Sequence, residues 1–164
     1  MATSFQVSKN AAKSPARFRS AKGEGSSGPG GIFTLRGDFP DHAHDFAELT
    51  IIFGGTALHT INGSALLVRA GDAWVIAGKN THGFSGVHDL SLCNISFDPA
   101  LLAELAGDLK GTVGFQSLFV TGPAITDGRS RGSLRLGLAD LARAGEMVRE
   151  MQAETRSSTA WTLF

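Results

Sequence analysis

The run His42-Ala43-His44-Asp45-Phe46-Ala47-Glu48 puts two imidazoles and a carboxylate close together, and His82 follows downstream. Two histidines and one carboxylate are the donor set of a facial triad, which holds a divalent transition metal and leaves positions open. On a single strand the side chains of residues 42, 44 and 48 would share a face. At roughly 3.3 Å per residue, a straight strand would put Glu48 about 13 Å from His44, too far for one ion. The chain must therefore bend or change strand between them, and Asp45-Phe46 is where the bend is expected. His82 is the candidate fourth ligand, from another strand, because it follows the turn signal Gly71-Asp72 and an apolar run. Together His42, His44, Glu48 and His82 would suit one ion of Zn, Ni, Fe or Mn. The residues alone leave three uses open: a metal site, a metal-free ligand pocket, or a polar interior whose groups satisfy one another.

Other residues could contact a ligand. Alternation along a hairpin puts His59 and Ile61 on one face and Leu58 and Thr60 on the other, which makes His59 a candidate contact. Trp74 sits in an apolar run and is a candidate platform, although an aromatic there is more often core. Asn94 places an amide in a strand that is apolar at Leu92 and Ile95; facing inward, it needs partners. Phe46 and Phe84 flank the metal-type positions and are placed to wall a pocket. His88 reads as solvated, and Phe97 as packing on the helices. Cys93 reads as a small buried hydrophobe with no base beside it.

The elements that must position these residues are short β-type runs. They are Ile32–Arg36, Glu48–Phe53, Ala57–Asn62, Ser64–Arg69, Ala73–Ala77, Gly83–Val87 and Leu90–Phe97. Many short strands with frequent turn signals indicate a sandwich or barrel. Asn62-Gly63 predicts a type I′ hairpin turn. After these runs, Asp98 caps a short helix, Pro99–Ala106, with Pro99 in its first turn. Ser133 caps a longer one from Leu134 to about Glu154, on which Leu134, Leu138, Leu141, Val148 and Met151 form an apolar stripe. The stripe is either a dimer seam or a cover for the strands. Ala160-Trp161-Thr162-Leu163-Phe164 reads as a short apolar element.

The spacing His42-x-His44-x3-Glu48-x6-Gly55, followed by Gly71-x10-His82, resembles the two motifs of the cupin superfamily. The first motif matches in full. In the second, Ala77 replaces the usual Pro, the Gly is at 78 and not 79, and Gly86 stands where Asn is common. The resemblance implies a small jelly-roll-like β-barrel, a double-stranded β-helix, whose four motif side chains bind a metal. A narrower resemblance rests on residues 44–49, on Gly55-Thr56-Ala57-Leu58-His59-Thr60-Ile61-Asn62-Gly63, on Asp89–Ile95, on Gly114–Phe119 and on the Leu134 helix. It is to the N-terminal sensor domain of AraC/XylS-family transcription regulators, with the rhamnose-operon activators the nearest type. That likeness implies a barrel binding a small polar effector, often a sugar, helices that dimerise, and DNA contact through a C-terminal helix-turn-helix domain. That last domain is expected downstream of Phe164, outside this chain.

Composition agrees with a globular protein: 164 residues, 42% hydrophobic and 18% charged, with 15 basic and 15 acidic groups balanced. One cysteine excludes a disulfide framework and any multi-cysteine zinc site. No apolar run approaches the length of a membrane span and no secretory signal is evident, so the expected setting is the cytoplasm, without a membrane partner. Residues 1–31 carry Lys9, Lys13, Arg17, Arg19 and Lys22 against Glu24 alone and end in Gly28-Pro29-Gly30-Gly31, which predicts a disordered basic arm. The expected division is this arm, a barrel over 32–98 and a helical dimerisation segment over 99–164. The remainder is acidic, which opposes phosphate binding by the chain itself. The reading is an effector-binding module, not an enzyme. The alternative is a stand-alone metal cupin enzyme of dioxygenase or isomerase type.

Overall fold

A computed structural model of the chain describes residues 31–77, 80–121 and 133–157. The expected arm (except Gly31), Gly78 and the 160–164 element lie outside them.

Among the described residues, seven strands form one antiparallel sheet. They are β1 (Phe33–Leu35), β2 (Phe39–His42), β3 (Ala47–Ile61), β4 (Ser64–Arg69), β5 (Asp72–Ile76), β6 (His82–Phe97) and β7 (Leu134–Arg135). The order is β1-β6-β3-β5-β7, with β2 also on β6 and β4 also on β3. The fold is mainly β, an antiparallel sheet with helices after β6, as expected.

Two pairs of expected strands are in fact single long strands. Glu48–Phe53 and Ala57–Asn62 merge into β3, and Gly83–Val87 and Leu90–Phe97 into β6. The glycines between them bend the ladder without ending it. Gly55 has φ +72, and a Cβ there would lie 2.3–2.4 Å from the carbonyl oxygens of Asp89 and His88. Gly86 and Asp89 on the facing strand also have positive φ, and the β3–β6 register shifts between Ile52 and Leu58. Such bulges increase local twist and let one sheet curl over itself. The first half of β3 pairs with β5, its second half with β4, and both halves with β6. The curl brings Ile52, Ala57, Val68, Trp74, Ile76, Phe84, Leu90 and Leu92 into one core with Phe33 and Leu35 of β1.

The opposite face of β3 is also covered, so both faces of its first half are largely buried. Ile51 packs with Ala73 and Leu141, flanked by Leu49, Phe53, Leu136 and Ala144. The turn after β3 is as expected: Asn62 and Gly63 have φ of 47 and 81, both in the left-handed region that a type I′ turn requires.

After β6 the chain forms α1 (Pro99–Leu105), a 3-10 turn (Gly107–Gly111), α2 (Val113–Phe115) and a π-helical turn (Gln116–Thr121). Asp98 caps α1 through the Ala100 N–H, as its sequence predicts. The longer helix, α3, spans Leu138–Ser157, so the expected start at Leu134 is corrected. Leu134 and Arg135 instead pair with Ala73 and Asp72 of β5. Arg135 makes two contacts to Asp72 Oδ1, at 2.8 Å through Nε and 2.7 Å through Nη2, and the Leu136 N–H donates to the Gly71 carbonyl at 2.8 Å. The unpaired edge of β5 thus captures the residues whose spacing alone fitted a helix. Leu141 and Val148 are buried, whereas Leu138 is 90% exposed and Met151 37%. The stripe is therefore split: part of it covers the sheet and part faces outward.

Candidate functional site

The expected bend between His44 and Glu48 is present. β2 ends at His42, the chain bends at Asp45 and Phe46, and β3 opens at Ala47. His82 opens β6 opposite both His42 and Ile61. Asn62 anchors that opening: its side-chain oxygen accepts from the Thr81 N–H at 3.0 Å, and its own N–H donates to the Thr81 carbonyl at 2.8 Å. The type I′ turn therefore fixes where His82 enters the site. β2 itself was not legible beforehand, because Pro40 lies inside four residues that pair only along one edge.

One ligating atom from each of His44, Glu48 and His82 lies within 4.8 Å of the others. His44 Nε2 is 3.2 Å from His82 Nε2. The other nitrogen of His44 is 2.7 Å from the Phe46 carbonyl oxygen; a carbonyl only accepts, so Nδ1 carries the proton and Nε2 presents a lone pair. Behind His82, its Nδ1 stands 3.5 Å from His59 Nε2. His42 is beside this group, its ring 4.3 Å from that of His82, with Nδ1 directed to the Pro40 carbonyl at 3.1 Å. It is not one of the three whose donor atoms converge.

Burial sets the charge states. Glu48 is 5% exposed, and its Oε1 has no hydrogen-bond partner among the described residues. Burial raises its carboxyl to about 7, partly opposed by Thr50. The same desolvation lowers His82 and His59 to about 3, with neighbouring histidines adding to the effect. His44 is also lowered, chiefly by burial. Two neutral imidazoles facing an orphaned buried carboxylate suit a divalent cation. Metal bonds of about 2.0–2.2 Å set adjacent donors near 3 Å apart, a separation the two histidines already have. A bound ion would supply Lewis acidity and open coordination positions there.

These groups form one end of a cavity of about 250 Å³. His42, His44, Glu48, His82 and Asn94 supply its polar lining; Phe33, Leu35, Phe39, Phe46, Phe84 and Leu92 supply the rest. Asn94 lines the cavity, and its Oδ1 accepts from the Thr50 hydroxyl at 2.9 Å. Phe46 stacks on His44 with centroids 4.2 Å apart. His59 and Trp74 are not in the lining. His59 is sandwiched between Trp74, at 4.5 Å, and Phe84, at 4.8 Å, forming a buried layer behind His82. His88 is exposed and Phe97 packs on Phe119, both as expected. Cys93 is buried, and desolvation raises its thiol to about 12. Phe33, Leu35, Phe39 and Leu92 were not foreseen as lining, because nothing in their local pattern separates a cavity wall from a core.

Residues 18–158 match the AraC-like ligand binding domain family, and the chain belongs to that family. It is 27% identical over 125 residues to the HTH-type transcriptional activator RhaR of Yersinia pseudotuberculosis, covering 76% of this chain and 40% of that protein. It is 29% identical over 117 residues to RhaR of Escherichia coli O139:H28, covering 71% and 38%. The chain thus spans about two fifths of the length of these curated relatives. A solved RmlC-like cupin from Shewanella frigidimarina is 18% identical, covers 44% of this chain and 80% of its own, and has a TM-score of 0.35.

Proposed function

We propose that this chain is the effector-sensing part of a bacterial transcription regulator. The observation that carries the reading is the cavity at the junction of β2, β3 and β6, with one polar end, in a ligand-binding domain of the AraC-like family. A small effector occupies the cavity, whose polar end is lined by His42, His44, Glu48, His82 and Asn94. Its binding shifts the protein between two arrangements only as far as its affinities for them differ. The family resemblance makes a polar effector, a sugar among them, the starting expectation. The exposed flank of α3 supports a homodimer, and DNA contact belongs to a helix-turn-helix domain C-terminal to this chain. His44, Glu48 and His82 would hold one divalent transition metal at the polar end.

The test is the reading frame beyond the Phe164 codon, checked against the intact mass of the native protein. Two helix-turn-helix patterns there support the sensor reading. A stop codon directly after Phe164 would remove the carrier of DNA binding.

The second reading is a metal-dependent cupin enzyme of dioxygenase or isomerase type. The convergence of His44, Glu48 and His82 favours it. Against it, the cavity lining offers no acid/base group beyond the candidate ligands and His42.

A further inference from the structure

The cavity's polar atoms are mostly spoken for. Among the described residues, His42 Nδ1 is directed to Pro40, both His44 nitrogens have partners, His82 faces His44 and His59, and Asn94 Oδ1 accepts from Thr50. What remains to meet a ligand is His42 Nε2, Asn94 Nδ2 and the carboxyl of Glu48, which lines the cavity and whose enclosed Oε1 has no partner among the described residues. The rest of the wall cannot hydrogen-bond. Phe33, Leu35 and Leu92 come from the paired strands β1 and β6, and Phe39 faces Phe84 across β2 and β6. A pyranose would bring a hydroxyl on most of its carbons into this space. Each buried hydroxyl left without a partner weakens binding.

We infer that the effector is a compact, largely apolar molecule, a single ring bearing one oxygen head of phenol or alcohol type, and not a polyhydroxylated sugar. In the metal-free protein the head hydroxyl donates to Glu48 and accepts from Asn94 Nδ2. The ring lies against Phe39, Phe84 and Leu92. This inference rests on the cavity being the effector site.

The test is calorimetric titration of the purified chain with phenol, catechol and benzyl alcohol, and in parallel with glucose and rhamnose. The expected result is that at least one ring probe binds with Kd below about 1 mM and the sugars do not. Binding should have a negative heat-capacity change, the marker of apolar burial. Phe39→Ala, at a half-buried position whose loss spares the inner core, should weaken the ring probe about tenfold or more. Glu48→Gln keeps the shape and alters the head contact, so it should change affinity without changing the heat-capacity sign. Glucose or rhamnose binding where the ring probes do not would overturn the ligand class and leave the effector pocket standing. No binding by either set would overturn both.

Discussion

His44 Nε2 and His82 Nε2 face each other at 3.2 Å, and the opposite nitrogen of each ring is already engaged. His44 Nδ1 must donate to Phe46, so in the metal-free protein His82 supplies the proton between the two rings. Its Nδ1 then accepts from His59 Nε2. A metal would take that proton's place, and the hydrogen of His82 would move to Nδ1, toward His59. Long-range proton–nitrogen correlation spectra report each tautomer directly. The expected change on adding Zn²⁺ is Nε2–H to Nδ1–H at both His82 and His59, with His44 unchanged. Identical tautomers with and without Zn²⁺ would contradict the arrangement.

Three converging donors and one adjacent histidine give an ordered set of metal affinities. His82→Ala and Glu48→Ala should each lower Ni²⁺ or Zn²⁺ affinity by well over about 100-fold, and His42→Ala by about 10–100-fold at most, the range of an outer partner. Equal losses at His42 and His82 would make His42 a full fourth ligand. Titration calorimetry with metal analysis of the dialysed protein distinguishes the two.

Glu48 should make the metal-free fold weaker as pH rises. Its carboxyl is raised in the folded protein to about 7, from an ordinary value of 4.5. The unfolded chain therefore releases its proton first, and the associated stability is present below about 4.5 and lost by about 7. Glu48→Gln should stabilise the metal-free protein at pH 8 by on the order of 2–3 kcal/mol and have little effect at pH 4. His59 and His82 act in the opposite direction. Lowered to about 3, they contribute stability that is present above 6.5 and lost as pH falls toward 3. Thermal melts across this range check both signs.

The exposed part of α3 predicts its own outcome. Leu138→Glu should shift a concentration-dependent dimer toward monomer in sedimentation while leaving the melting temperature of dilute protein unchanged, because Leu138 is 90% exposed within the chain. Leu141→Ala instead removes a side chain packed on Ile51 and Ala73 and should cost about 2–5 kcal/mol of fold stability.

Gly55 is the hinge of the curled sheet. Gly55→Ala combines a strained φ with a Cβ driven onto the backbone of His88 and Asp89. It should destabilise the fold by more than about 1 kcal/mol, and urea melts should show this.

Much of the site was readable because its chemistry is local. The His42–Glu48 spacing exposed the need for a bend, and Asp45-Phe46 supplied it. Asn62-Gly63 fixed its own turn, since both φ values had to be positive. The strand breaks were misread because glycines that usually end a strand here bend a paired one, and that depends on the partner strand. Leu134 was misassigned for a related reason: its spacing suits a helix, but Asp72 and the open edge of β5 hold it in the sheet. The apolar cavity wall stayed hidden because Phe33, Phe39 and Leu92 line one space only after β1 and β2 join β6. His59 likewise showed its place behind His82 only when Trp74 and Phe84 closed around it.

The cavity between β2, β3 and β6 is where a small molecule should be held. Asn94→Trp would fill that cavity from its polar end. The decisive measurement is a thermal-shift titration of wild type and Asn94→Trp with phenol, catechol, benzyl alcohol, glucose and rhamnose. The account predicts that at least one probe raises the melting temperature of wild type and leaves that of the filled variant unmoved. A shift that survives in Asn94→Trp, or no shift in wild type with any probe, would contradict it.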